Sequence, residues 1–261
     1  MLQHFKTLYH YRQLLAMIAW RDIKVKYKQS LMGFMWAILM PLIVLSAGIV
    51  VRIVLSRFSG QPFSLSQLLT VATKAAPWAF CVNGIRFATN SLVGNGNLVT
   101  KLNFPKEIFP IAAVLSNLFD FLIAACLLTL IFAFSRVGLS NDILWVPVLI
   151  VALVLLVTGL GILLSALNLF FRDVKYLVET VLTFAIFFTP VLYDAQMFGR
   201  WANLLLLNPI APVLEGLSSC VVIHQPPAAG PILYSTAISF GIFIFSYWAF
   251  KNVEPKFAEN I

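Results

Sequence analysis

Residues 143–170 are 28 consecutive positions without a charged side chain, and 31–51 are another 21. Runs of this kind leave few folds open, because the hydrocarbon core of a bilayer is about 30 Å thick and a helix crosses it in about 20 apolar residues. Backbone placed in lipid must satisfy its own N–H and C=O groups, which leaves only helices and closed barrels. A barrel needs short segments of alternating polarity. The runs here are continuous, so an all-α integral membrane protein is expected. Of the 261 residues, 61% are hydrophobic and 11% charged, with a mean hydropathy of +0.92. An average soluble domain is roughly 25% charged, so too little polar side chain is present to wet a globular surface.

Six transmembrane helices are expected in a single transmembrane domain over 1–261, at about 31–55, 67–92, 108–135, 143–170, 176–193 and 232–250. The second contains Lys74 and Arg86, and the third contains Asp120. Residues 1–28 place Leu8, Tyr11, Leu15 and Ile18 at helical spacing among six Lys or Arg, the pattern of an amphipathic helix lying in the membrane interface. The apolar run that follows is too long for the core of a secretory signal, so this segment is expected to be retained. Residues 195–230 are apolar but broken by Asn208, Pro209 and Pro212, and they carry Glu215. Short re-entrant or interfacial helices on the outer side are expected there.

Orientation follows from loop cations. With the N-terminus cytoplasmic, the inner loops hold twelve Lys or Arg and the outer loops four: Arg52, Arg57, Arg136 and Arg200. Both termini are therefore expected inside, with 94–107 a cytoplasmic loop and 251–261 a cytoplasmic tail. The net charge of +8 is explained by these clusters and does not call for nucleic acid.

No phosphate-binding loop, zinc-protease helix, nucleophile elbow or dinucleotide turn occurs, so ATP hydrolysis is not expected in this chain. Cys81, Cys126 and Cys220 lie apart in apolar surroundings, and no metal site is expected. A proton- or sodium-coupled carrier needs ionisable groups at mid-membrane, and Asp120 stands alone. Arg86 and Asp120 fall on neighbouring spans and are expected to form an intramembrane ion pair. Lys74, near the outer end, is expected to snorkel to the surface.

Four segments together resemble one family, the permease subunits of type-two ABC exporters that carry O-antigen, capsular polysaccharide or teichoic acid. They are WRDIKVKYKQSLMGFMW at 20–36, KLNFPKEIFP at 101–110, LNLFFRDVKY at 167–176 with TPVLY at 189–193, and LNPIAPVLEG at 207–216. The stretch after Tyr193, DAQMFGRWANLL, is shorter and less regular than the family's pattern. The resemblance implies a homodimer in the cytoplasmic membrane bearing two copies of a separate ATP-binding subunit, which would hold ATP and Mg²⁺. A lipid-linked polysaccharide would pass along the dimer interface.

On this reading 94–107 is the main coupling loop, with Asn97, Leu98, Lys101, Phe104, Pro105, Lys106 and Glu107 toward the ATPase. The alternative is a cytoplasmic turn that only obeys the charge bias. Arg172 and Asp173 are further coupling candidates, or else pair with each other. The basic N-terminal helix anchors the chain to anionic lipid, and in the family reading also gates. Sugars stack on aromatic faces, so Phe34, Trp36, Trp78, Phe80, Phe87, Phe187, Phe188 and Tyr193 are candidate channel residues, with core packing the alternative for each. A drug or lipid permease would share the frame. A membrane-embedded transferase should cluster its acids or histidines, and these are scattered.

Overall fold

The computed structural model describes residues 9–28, 35–59, 64–101, 104–134, 138 and 140–259, and among them every regular element is helical. In chain order these are α1 (Arg12–Lys28), α2 (Met35–Ser59), α3 (Leu65–Gly94), α4 (Gly96–Lys101), α5 (Ile108–Phe134), α6 (Val146–Phe170), α7 (Val174–Phe188), α8 (Ala202–Leu205), α9 (Ile210–Ser218) and α10 (Ala229–Val253). Tight 3₁₀ turns precede α6 (Asn141–Trp145) and α8 (Ala195–Trp201) and follow α10 (Glu254–Glu259), while a π turn (Ser219–Ile223) extends α9. Among the described residues three segments, Ile108–Phe134, Asn141–Phe170 and Ala229–Phe257, are long and apolar enough to cross a membrane.

Local chemistry sets the helix ends. Ser64 is extended and its side chain accepts a bond from the Gln67 N–H, capping α3. The expected fifth span, 176–193, is helical only as far as Phe188. Thr189 is extended (φ −117°, ψ 130°) because it precedes Pro190, whose ring excludes the helical conformation from its neighbour. Residues 189–192 then run as a buried turn.

α6 is the hub. Leu149, Leu153, Leu156, Val157 and Ile162 are buried in it, and the helix packs against α3, α5, α9 and α10. Two small positions permit this crowding. A Cβ on Gly159 would lie 2.8 Å from Phe243 Cα of α10, and one on Gly161 would lie 2.6 Å from Ala88 Cβ of α3. Small residues that let helix backbones touch are the usual device where lipid removes the hydrophobic drive between helices. α9 is tucked into the protein, with Ala211, Val213, Leu214 and Leu217 buried.

α1 also differs from a helix lying free in the interface. It buries Ile18 and Ala19 and docks against α5, leaving Met17, Trp20 and Val25 outward. The outer faces of α2, α5 and α10 expose Leu42, Val50, Leu122, Leu130, Leu233 and Phe240, a surface suited to hydrocarbon.

Candidate coupling surface and transport path

One end of the bundle gathers the loops at the ends of α3, α6 and α10. Asn168, fully buried near the end of α6, donates from Nδ2 to the Thr89 carbonyl of α3 (3.0 Å), and its Oδ1 accepts from the Lys175 N–H (3.2 Å). One side chain thereby fixes the turn 171–173 against α3. Arg172 and Asp173 are exposed on that turn and form no ion pair with each other among the described residues. Beside it, Asn95 ends α3, with its Oδ1 accepting from Arg21 Nη2 of α1 (2.9 Å). α4 follows with Asn97 and Lys101 exposed, while Leu98 is half-buried against the core cluster around Val99 and Phe257.

The rest of the expected coupling loop is less exposed. Glu107 is 1% exposed, and its carboxylate accepts from Lys251 Nζ (2.8 Å) and the Tyr247 hydroxyl (3.1 Å) of α10. It is therefore corrected from a contact residue to an internal anchor: a carboxylate out of water needs its partners inside the fold. The Lys106 N–H donates to Glu254 (2.9 Å), Pro105 and Phe104 are half-buried, and the Phe104 ring lies 5.5 Å from that of Phe109. Partial burial draws the Lys106 ammonium below its ordinary range, opposed by nearby Glu254.

The aromatic candidates divide. Trp78 and Phe80 are buried in the protomer, Phe80 against Phe121 at 5.7 Å, so both are core residues and do not face a channel. The α3 surface that carries them is consumed by packing against its neighbours. Phe87, Phe187 and Phe188 are exposed, the last two by 65% and 69%. Tyr193 is half-buried, its hydroxyl donating to the Phe187 carbonyl (2.7 Å) and its ring 5.0 Å from Phe198. Phe34 and the Trp36 side chain lie outside the described residues.

The intramembrane charges pair differently from expectation. Asp120 accepts from Lys26 Nζ and the Tyr27 hydroxyl at the end of α1, and Lys26 also reaches Asn117 Oδ1 (3.1 Å). α1 therefore supplies the partner that Arg86 was expected to supply. Arg86 makes no ion pair among the described residues, and its buried Nε has no hydrogen-bond partner there. Lys74 does not snorkel. It is 0% exposed, and its Nζ lies 2.9 Å from both Asp194 and Glu215. Arg52, 2% exposed, brings Nη2 to 2.8 Å from the other oxygen of Asp194, as a charge contact without a well-directed N–H bond. Glu215 also accepts from the Ala195 N–H (2.9 Å).

Two cations and two anions thus tie α2, α3, the turn after α7, and α9 together at the end opposite the loops. Asp194 lies outside the helical spans. Burial opposes its charge, but Lys74 and then Arg52 outweigh that and hold its carboxyl below the ordinary range. Sequence reasoning passed over this quartet and Asn168. The available signal was a buried-depth lysine with no acid on its own span, and two acids, Asp194 directly after the motif at 189–193 and Glu215 inside the one at 207–216. Among the described residues no group of three or more His, Cys, Asp or Glu is placed to hold a metal.

The family model for the ABC-2 type transporter matches residues 13–222. An O-antigen export system permease protein, RfbA, of Myxococcus xanthus is 25% identical over 265 aligned residues, covering 100% of both chains. Two proteins of the same name from Klebsiella pneumoniae are 27% and 26% identical over 206 residues, covering 77% of each chain. The matched residues take in the docked helix α1, the hub α6, both loops of the candidate coupling end and the charge quartet. The chain is a multi-pass membrane protein that belongs to the ABC-2 type transporter family.

Proposed function

We propose that this chain is the membrane-spanning permease of an ABC exporter that moves a lipid-linked polysaccharide such as O-antigen across the cytoplasmic membrane. In this reading it crosses the membrane six times, through α2, α3, α5, α6, α7 and α10, with 195–228 returning on the outer side and both termini cytoplasmic. It works as a homodimer with two copies of a cytoplasmic subunit that binds ATP and Mg²⁺. The observation that carries the reading is the full-length likeness to an O-antigen export permease. Its geometry is supported by the loop-bearing end, where Asn97 and Lys101 stand exposed on α4, and Arg172 and Asp173 on a turn that Asn168 holds against α3.

A coupling element must be stiff behind and polar in front. Asn168 and Glu107 provide the stiffness, bonding the loops to α3 and α10. Closure of the ATPase subunits on nucleotide would push on α4 and the 171–173 turn, move α3 and α7 together through Asn168, and part the dimer interface. Phe87, Phe187 and Phe188 offer uncharged faces along which sugar rings slide.

The test is a pull-down of the tagged permease from detergent-solubilised native membranes. A stoichiometric P-loop ATPase should co-purify, and Lys101→Glu with Arg172→Glu should release it while the permease remains folded. Recovery of the permease alone in every mild detergent would sink the proposal.

A further inference from the structure

An open groove of about 530 Å³ lies between α3 and α7, lined by Arg86, Glu179, Thr180, Thr183 and Phe184. Arg86 stands eight residues before the end of α3 and Glu179 five residues after the start of α7. On the six-span reading, both therefore sit about 8–12 Å inside the membrane on the coupling side. Neither makes an ion pair among the described residues, although they line the same groove. The Arg86 Nε is buried with no hydrogen-bond partner there. An ionisable group at membrane depth costs about 2.5–3.5 kcal/mol on insertion scales unless it faces water or a partner. An Arg and a Glu that share one groove and form no ion pair among the described residues therefore mark a surface that meets something polar.

The polar atoms say what. The Thr180 hydroxyl donates to the Tyr176 carbonyl (2.9 Å) and the Thr183 hydroxyl to the Glu179 carbonyl (2.8 Å), so both protons are already used. What these hydroxyls offer the groove is acceptor lone pairs. Glu179 offers acceptors too, Arg86 alone offers donors, and the exposed Phe184 ring adds an apolar face. A ligand that satisfies this set must present several O–H donors, a few oxygen acceptors and C–H faces. A polyanion satisfies only Arg86 and is repelled by Glu179.

The geometry points to a hydroxyl-binding rung at the coupling-side third of the transport path, selective for an uncharged polyhydroxylated chain over a phosphate-rich one. This rests on the export reading and narrows its substrate class.

The test uses the full-length permease with its co-purified ATPase in lipid nanodiscs, or the permease alone if none co-purifies. In a Cys126→Ser background, Thr180→Cys is labelled by a charged methanethiosulfonate reagent. Neutral heptasaccharides of glucose, mannose and galactose, and hexametaphosphate, are the probes. At least one heptasaccharide should protect the cysteine and hexametaphosphate should not, and Arg86→Gln or Glu179→Gln should raise the concentration needed by about tenfold, the loss of a charge-assisted hydrogen bond. Protection by hexametaphosphate, or by no sugar, overturns the rung. So does a cysteine that labels only after the dimer is dissociated, since a second copy then fills the groove. ATPase co-purification reads the export proposal separately, so either idea can fail without the other.

Discussion

Lys74 sits at a position with no exposure, and its two acids come from 120 and 141 residues further along the chain. Deleting one member of a buried ion group leaves the others uncompensated, which typically costs about 3–5 kcal/mol. Lys74→Met should therefore lower stability in detergent by about that amount, whereas Lys74→Met combined with Glu215→Gln should recover part of it, as a thermal-unfolding double-mutant cycle would show. Asp194 gives the quartet a pH dependence. Its folded carboxyl titrates below the ordinary range, so its contribution is present above the unfolded value, about 3.9, and is lost as pH falls through the depressed folded value. Wild type should thus lose its stability advantage over Asp194→Asn on acidification below about pH 4, and keep it from there to neutrality. Lys74 was read as snorkelling and Arg86 as the partner of Asp120, and only that Asp120 needed a partner was legible, from its depth in an apolar run. Which partners they take was not, because the Lys26 and Tyr27 contacts to Asp120 and the acid contacts to Lys74 join positions more than 90 residues apart.

At the scale of elements, the apolar runs placed the ends of α5 within one residue and those of α6 and α10 within three, since length and the absence of charge suffice to define a lipid-embedded helix. The fifth apolar run was read five residues too long because Pro190 was weighed less than the hydrophobicity of its neighbours. Burial of Trp78 and Phe80 was illegible for a different reason. In a membrane helix the lipid face and the packed face are both apolar, so periodicity does not separate them. The glycine contacts do separate them. A methyl on Gly159 would meet the Phe243 backbone, which has no side-chain rotamer with which to yield. Gly159→Ala should destabilise the α6–α10 contact by about 1–3 kcal/mol of overpacking, read as a fall in detergent melting temperature. The same change at Gly230, which has open space around its Cβ position, should be nearly neutral.

For the whole molecule, the two ends of the bundle are chemically unlike: one carries exposed loops clamped from behind by Asn168 and Glu107, the other a closed quartet of charges. On the proposed reading this polarity suits a machine driven from one side, with the driven end presenting a surface and the far end holding shut until pushed. It also yields a topological prediction. If 195–228 returns to the side from which it came, an even number of crossings puts the C-terminal turn Glu254–Glu259 on the same side as α4. The contact of Lys251 with Glu107 (2.8 Å) requires that placement in the folded chain. Fusions after Gly138, after Phe171 and after Ile261 read the three relevant loops. A phosphatase that folds only outside the cytoplasm should be active after Gly138 and silent after Phe171 and Ile261, with a fluorescent protein giving the reverse. Phosphatase activity after Ile261 would mean that the short helices α8 and α9 cross after all. The Lys251–Glu107 pair would then join opposite faces of the membrane, and the six-span arrangement would fall with it.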